Sequence, residues 1–182
     1  MRTFTTEHTV YKFDELSEEA QDKAVENLYD INVDHDWWDG DVEWFNKNLL
    51  KPYGIEVSSI SFDLDRGAWV DFDSVDITER VFLKKLGVDL RTKLARQLLY
   101  DGISVERSHY AGGVFTTYLN FETEDTAEAV NLQNMIDGAW RDLKAQMLKA
   151  LRDEYDYHTS REAIVEAIEA NEYEFYADGR LA

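Results

Sequence analysis

Apolar residues recur every third or fourth position along much of this chain, and in two places they alternate instead. In DELSEEAQDKAVENLYD, residues Leu16, Ala20, Ala24 and Leu28 stand four apart, which predicts a helix with one face toward a core. Ser17 followed by Glu18 and Glu19 reads as an N-cap with acids in the first turn, where the helix dipole favours anions. Upstream, residues 3–13 alternate loosely through Phe4, Val10, Tyr11 and Phe13 and predict a strand. DHDWWDGDVEWFNKNLLKPYG predicts a second helix through Trp37, Trp38, Trp44, Phe45, Leu49 and Leu50, ended by Pro52 and Gly54. Two strands follow, about 55–64 and 69–76, joined at Arg66-Gly67. Residues 78–100 read as helical with a break near Gly87, and a second hairpin, about 103–110 and 114–122, turns through Ala111-Gly112-Gly113.

The longest helix is expected to begin near Asp125 or Thr126. Its apolar stripe runs through Val130, Ile136, Trp140, Leu143, Met147, Leu151 and Tyr155. Thr159-Ser160-Arg161-Glu162 has the spacing of a capping box and starts a shorter helix through Ile164 and Ile168. The tail YEFYADGRLA is expected to add a short strand. Two hairpins set among helices predict an α+β fold: an antiparallel sheet of four or five strands, with long helices packed on one face and the other face partly wet. No repeat or linker interrupts the chain, so residues 1–182 are expected to form a single α+β domain.

The first hairpin carries four aspartates. Ile60, Phe62 and Leu64 share one face of their strand, and Asp63 and Asp65 the other; Val70 and Phe72 are likewise opposed to Asp71 and Asp73. An odd loop such as Arg66-Gly67-Ala68 keeps the two phases together, pairing Phe62 with Phe72, Leu64 with Val70 and Asp63 with Asp71. The aspartates then gather on one face, at about 1 kcal/mol of repulsion per pair in water at ~5 Å. Three readings follow: a solvated polar face, a surface for a basic partner, or a divalent cation site.

Composition sharpens this. With 38 acidic and 19 basic residues the formal charge is −19, which disfavours nucleic acid and anionic membranes as direct ligands and favours basic partners. The 44% hydrophobic content supplies a core. No cysteine is present, so disulfides and thiolate chemistry are excluded. The amino terminus lacks the apolar run of a signal peptide, and the expected location is cytoplasmic.

Residues 14–43 hold most of the early charge, with Asp34, Asp36, Asp39, Asp41 and Glu43 close together. Aligning Gly40 with the glycine of a calcium loop puts His35 and Trp37 where carboxylates belong, so an EF-hand is rejected. Trp37 and Trp38 are candidates for partner anchors or core. Arg80, Lys84, Lys85, Arg91, Lys93 and Arg96 make a basic middle, suited to internal pairing, self-association or an anionic ligand. No phosphate-binding glycine loop, nucleophile elbow or HExxH occurs, and His8, His35, His109 and His158 show no metal-ligand spacing. No catalytic residue, metal site or cofactor is assigned.

YKFDELSEEAQDKAVEN at 11–27, DINVDHDWWD at 30–39, GIEVSSISFDLDRG at 54–67 and EANEYEFYADGRLA at 169–182 resemble a family of small acidic accessory proteins encoded by tailed phages. Some of its members are labelled as the antitoxin of a toxin–antitoxin stability system. The resemblance implies a phage accessory role inside an infected bacterial host and supplies no catalytic residues. With the charge, it leads to the expectation of a non-enzymatic protein that inhibits a host defence protein of the CRISPR or restriction type by an acidic, nucleic-acid-mimicking surface. The expected partner-binding residues are Asp34, Asp36, Asp39, Asp41, Glu43, Asp63, Asp65, Asp71 and Asp73. The expected partner is a basic, nucleic-acid-handling host protein, with self-association left open. An antitoxin against a basic toxin, a sponge for a signalling nucleotide and a cation-dependent hydrolase are the alternatives.

Overall fold

Ser17, Thr92 and Ser160 each cap a helix through the side-chain oxygen, as their residue types imply. In the computed structural model, which describes residues 2, 7–34, 36–65, 67–72, 75–109, 115–120 and 126–182, two compact units appear: residues 1–37 with 153–182, and residues 38–152.

In the first unit, Ser17 caps helix α1 (Glu18–Asn27), its hydroxyl accepting from the Ala20 N–H. Leu16, Ala20 and Ala24 are buried as the four-residue spacing requires, in one cluster with Phe13, Ile164, Ile168 and Phe175. The strand expected over 3–13 is not a strand from Glu7 onward, and residues 3–6 lie outside the described residues. Tyr11 makes only an isolated antiparallel bridge to Phe175, after which the Glu15 carboxylate accepts from the Lys12 N–H and folds Phe13–Glu15 into a 3₁₀ turn. The tail likewise forms bridges rather than a strand, Phe175 pairing with both Tyr11 and Leu181. Its return depends on Gly179, at φ +84°, where a Cβ would overlap the Ala20 carbonyl oxygen.

The second unit begins with a helix, α2 (Asp39–Trp44), that loosens into a π-helical turn at Phe45–Leu50 and tightens into 3₁₀ at Lys51–Tyr53. Gly54, left-handed at φ +69°, stops it as expected. Strands β1 (Ile55–Val57) and β2 (Ile60–Asp63) run out, and β3 (Trp69–Phe72) and β4 (Val75–Ile77) run back. Stepping inward three residues on each arm from Val57↔Val75 reaches Ile60↔Phe72, so both pairings belong to one hairpin in one register. The Asn46 side chain serves the outer arm as a strand would, donating to the Val57 carbonyl (2.7 Å) and accepting from its N–H (2.9 Å).

Helices α3 (Glu79–Lys85) and α4 (Lys93–Asp101) flank the break at Gly87. Strands β5 (Ser104–His109) and β6 (Phe115–Asn120) form the second hairpin, whose turn lies outside the described residues. The sheet of four or five strands is corrected: among the described residues the strands form antiparallel pairs, β1–β4, β2–β3 and β5–β6. β6 passes beside β3, and among the described residues no ladder joins the two hairpins.

The long helix α5 (Ala127–His158) supplies residues to both units. Its buried stripe is Ala129, Leu132, Ile136, Trp140, Leu143, Met147 and Leu151, spaced three and four apart. Val130, expected in that stripe, is exposed, because Ala129 and Leu132 hold the register instead. In the first unit, Ser160 rather than Thr159 caps helix α6 (Arg161–Ala170), accepting from the Ala163 N–H. The Thr159 hydroxyl is committed elsewhere, donating to the Tyr155 carbonyl at 2.8 Å.

Candidate functional site: carboxylates, an ion pair and an aromatic surface

Backbone turns and helix faces decide where each expected carboxylate goes. In the hairpin, Asp63 Oδ1 accepts from the Asp65 N–H at 2.7 Å, a local turn that ends β2 at Asp63. The loop is therefore five residues, 64–68, rather than three. It stays odd, so the phases agree as the apolar face demands, but each partner moves by two residues: Phe62 faces Val70 rather than Phe72, and Ile60 takes Phe72. Asp63 faces Trp69 and Asp71 faces Ser61, so the Asp63–Asp71 pair does not form.

Asp71 is the largest departure. It is buried, at 4% exposed, between Val70 and Phe72, which are buried too. Both faces of β3 are therefore covered, and the wet face expected for the sheet is absent here. The carboxylate accepts a 2.6 Å hydrogen bond from the Lys144 ammonium of α5. That ammonium also lies over the rings of Phe72 (5.8 Å) and Trp140 (5.5 Å), which meet edge to face at 4.8 Å. Burial pulls the Lys144 pKa below the ordinary lysine value, and the Asp71 hydrogen bond and charge oppose that shift without cancelling it. Asp71 is committed to this pair and does not stand in an outward array. Asp73 lies outside the described residues.

The remaining acids are more accessible. Asp34 and Asp36 are exposed in the first unit; Asp39 and Glu43 are exposed on α2, with Asp41 half-buried between them. Asp65 is exposed and Asp63 half-buried. Glu43 borders a cavity of about 350 Å³ with Asn46, Lys47, Lys51, Ile55 and Glu56. Trp38 meets Phe62 edge to face at 5.0 Å, and Trp37 packs 6.0 Å from Tyr155, so each tryptophan belongs partly to its own unit's interior. Among the described residues, no group of three or more His, Asp or Glu is placed to hold a metal. No helix among them is long and apolar enough to cross a membrane.

In the basic middle, the Arg91 guanidinium clasps the Asp89 carboxylate at 2.8 and 2.9 Å and holds the Asp89 pKa below the usual carboxylate range. Lys85 lies over Tyr53 at 5.1 Å.

Sequence reasoning missed where the charge concentrates. The first unit has 19 acidic and 5 basic residues, a net −14; the second has 19 and 14, a net −5. Within the first unit Lys12 lies 3.7 Å from Glu174, Lys23 3.1 Å from Glu19, Arg161 2.6 Å from Asp22 and Arg180 2.8 Å from Asp178. Four of its five cations are thus already set against its own carboxylates. The exposed acids sit in rows: Glu18, Asp22 and Glu26 on α1, and Glu162, Glu166 and Glu169 on α6. The two helices share the Ala20, Ala24, Ile164 and Ile168 cluster, and the Arg161–Asp22 pair links them. Within a row the steps are three or four residues, about 4.5–6 Å along the helix axis. That is the same order as the ~3.4 Å axial phosphate spacing on one strand of duplex DNA. The signal was present in the sequence, since residues 153–182 hold nine acids and two basic residues.

Compared with protein-family models, with curated proteins and with solved structures, the chain shows no match.

Proposed function

We propose that this chain is a non-enzymatic binding protein whose acidic first unit occupies a basic, nucleic-acid-binding surface on its partner. The acidic surface, together with the resemblance to tailed-phage accessory proteins, supports a host defence protein of the CRISPR or restriction type as that partner. The observation that carries the reading is the first unit's excess of exposed carboxylates over cations, four of the five cations being already paired. Rows on α1 and α6 present charge at regular intervals on a packed scaffold, so little conformational entropy is lost on docking. Such a field speeds encounter with a basic groove and makes binding fall with salt. The proposed site keeps Asp34 and Asp36 of the nine expected residues and adds the helix faces of the first unit; Asp39, Asp41, Glu43 and the hairpin aspartates belong to the second unit.

The test is capture of proteins from a bacterial lysate on the immobilised chain at low salt, followed by elution with duplex DNA or RNA. A nucleic-acid-handling protein released by the nucleic acid supports the reading. Glu162→Gln, Glu166→Gln and Glu169→Gln together should weaken its capture, whereas Asp71→Asn should act only through stability. Retention that nucleic acid does not displace refutes mimicry.

A further inference from the structure

The carboxyl end of α5 gathers aromatic rings within the first unit. The Trp37 ring lies 6.0 Å from Tyr155 and 5.8 Å from His158, and His158 lies 5.7 Å from Tyr157. The Tyr29 and Tyr155 hydroxyls are hydrogen-bonded to each other. Two members turn outward, Tyr29 at 48% and Tyr157 at 56% exposed. The surface is held in shape from beneath. Asn32 donates to the carbonyls of His158 (3.1 Å) and Ala163 (3.2 Å), and Thr159 donates to that of Tyr155. Rings fixed in this way are ready to bind without first being ordered.

Three separate sources of negative potential meet at these rings. Each aromatic face carries a negative quadrupole. The last turn of a 32-residue helix ends here, and although its Tyr155, Tyr157 and His158 carbonyls are already hydrogen-bonded, the dipole of the helix adds to the negative potential. One carboxylate stands beside the rings, Glu154 lying 3.4 Å from His158, within a unit whose net charge is −14. An apolar ligand gains nothing from the second and third of these, and an anion is repelled by all of them. A cation that is planar and weakly hydrated gains from each. Guanidinium stacks flat on tyrosine and pairs with carboxylates through its fork, whereas an ammonium keeps its hydration more strongly.

We propose that this aromatic surface binds arginine side chains of the partner, making the protein selective for arginine-rich over lysine-rich basic surfaces. The proposal rests on the reading above for the partner's basic character and adds the chemistry that selects it.

The experiment measures fluorescence anisotropy of labelled nona-arginine and nona-lysine peptides against the full chain at low salt. Nona-arginine is expected to bind at least fivefold tighter. Tyr157→Ala and Tyr29→Ala should each narrow that ratio about two- to fivefold. Tyr157→Phe, which keeps the ring, should preserve it. Neutralising Glu162, Glu166 and Glu169 to Gln should weaken both peptides alike. Equal binding of the two peptides, or an arginine preference that survives both alanine variants, overturns the aromatic proposal and leaves the acidic surface standing. Failure of both peptides to bind overturns the two readings together. Circular dichroism of each variant confirms the native fold, which the exposure of both tyrosines favours.

Discussion

Replacing Lys144 by Met should destabilise the protein more than an ordinary surface change, because it leaves the Asp71 carboxylate buried with its cation gone. The side chains of the pair are 15% and 6% exposed and their N···O distance is 2.6 Å. Removing one partner of a buried pair costs about 3–5 kcal/mol. For a chain of this length each kcal/mol lowers Tm by about 2–4 °C, so the expected fall is on the order of 6–20 °C. Asp71→Leu strands the ammonium instead, and is expected to cost about as much. Joining the two changes replaces the pair with apolar groups beside Phe72 and Trp140. Such replacements are often neutral or stabilising by about 1–4 kcal/mol, so the double variant should recover most of the loss. Urea unfolding followed by far-ultraviolet circular dichroism, with tryptophan fluorescence as a second probe, gives all four corners of the cycle. Single changes costing under about 1 kcal/mol, or a double change equal to their sum, would show that the pair is not coupled and that the burial argument is mistaken.

Stability in alkali supplies a second check. Because the folded-state pKa of Lys144 is lowered, the unfolded chain binds more protons between that value and the ordinary lysine value of about 10.4. Native stability relative to Lys144→Met should therefore rise with pH across that window; a flat or falling difference speaks against the desolvation argument. Gly179→Ala should cost about 2–4 kcal/mol in a thermal melt, since it combines a left-handed backbone with overlap on the Ala20 carbonyl. Ser160→Ala should cost about 1 kcal/mol, more than Thr159→Ala, if Ser160 is the cap of α6. Leu132→Asp should unfold the second unit, whereas Val130→Asp should change its stability by no more than about 0.5 kcal/mol.

Features set by local chemistry were readable in the sequence. Ser17, Gly54 and Gly87 each act as the cap or stop their residue type implies, and the parity of the first hairpin followed from its apolar face. Its register did not, because the Asp63 side chain competes for the Asp65 N–H and ends the strand earlier than alternation alone suggests. The burial of Asp71 was hidden for another reason: Lys144 lies 73 positions away in the sequence, and nothing in the local pattern announces that it will arrive. Similarly, counting acids along residues 14–43 missed that the chain brings a second acidic stretch, 153–182, into the same unit. The aromatic surface was split in the same way, with Tyr29 and Trp37 at one end of the chain and Tyr155 to His158 near the other.

Asn46 has a consequence beyond the hairpin it serves. An outer arm with bare amide groups is a template on which another molecule's strand can grow, the usual first step toward fibres. By occupying both backbone groups of Val57 with one side-chain amide, the fold closes that template without adding a strand. Charge repulsion between copies fades as salt rises, but this steric and hydrogen-bonded closure does not, so protection against fibre growth should persist in high salt until Asn46 is replaced.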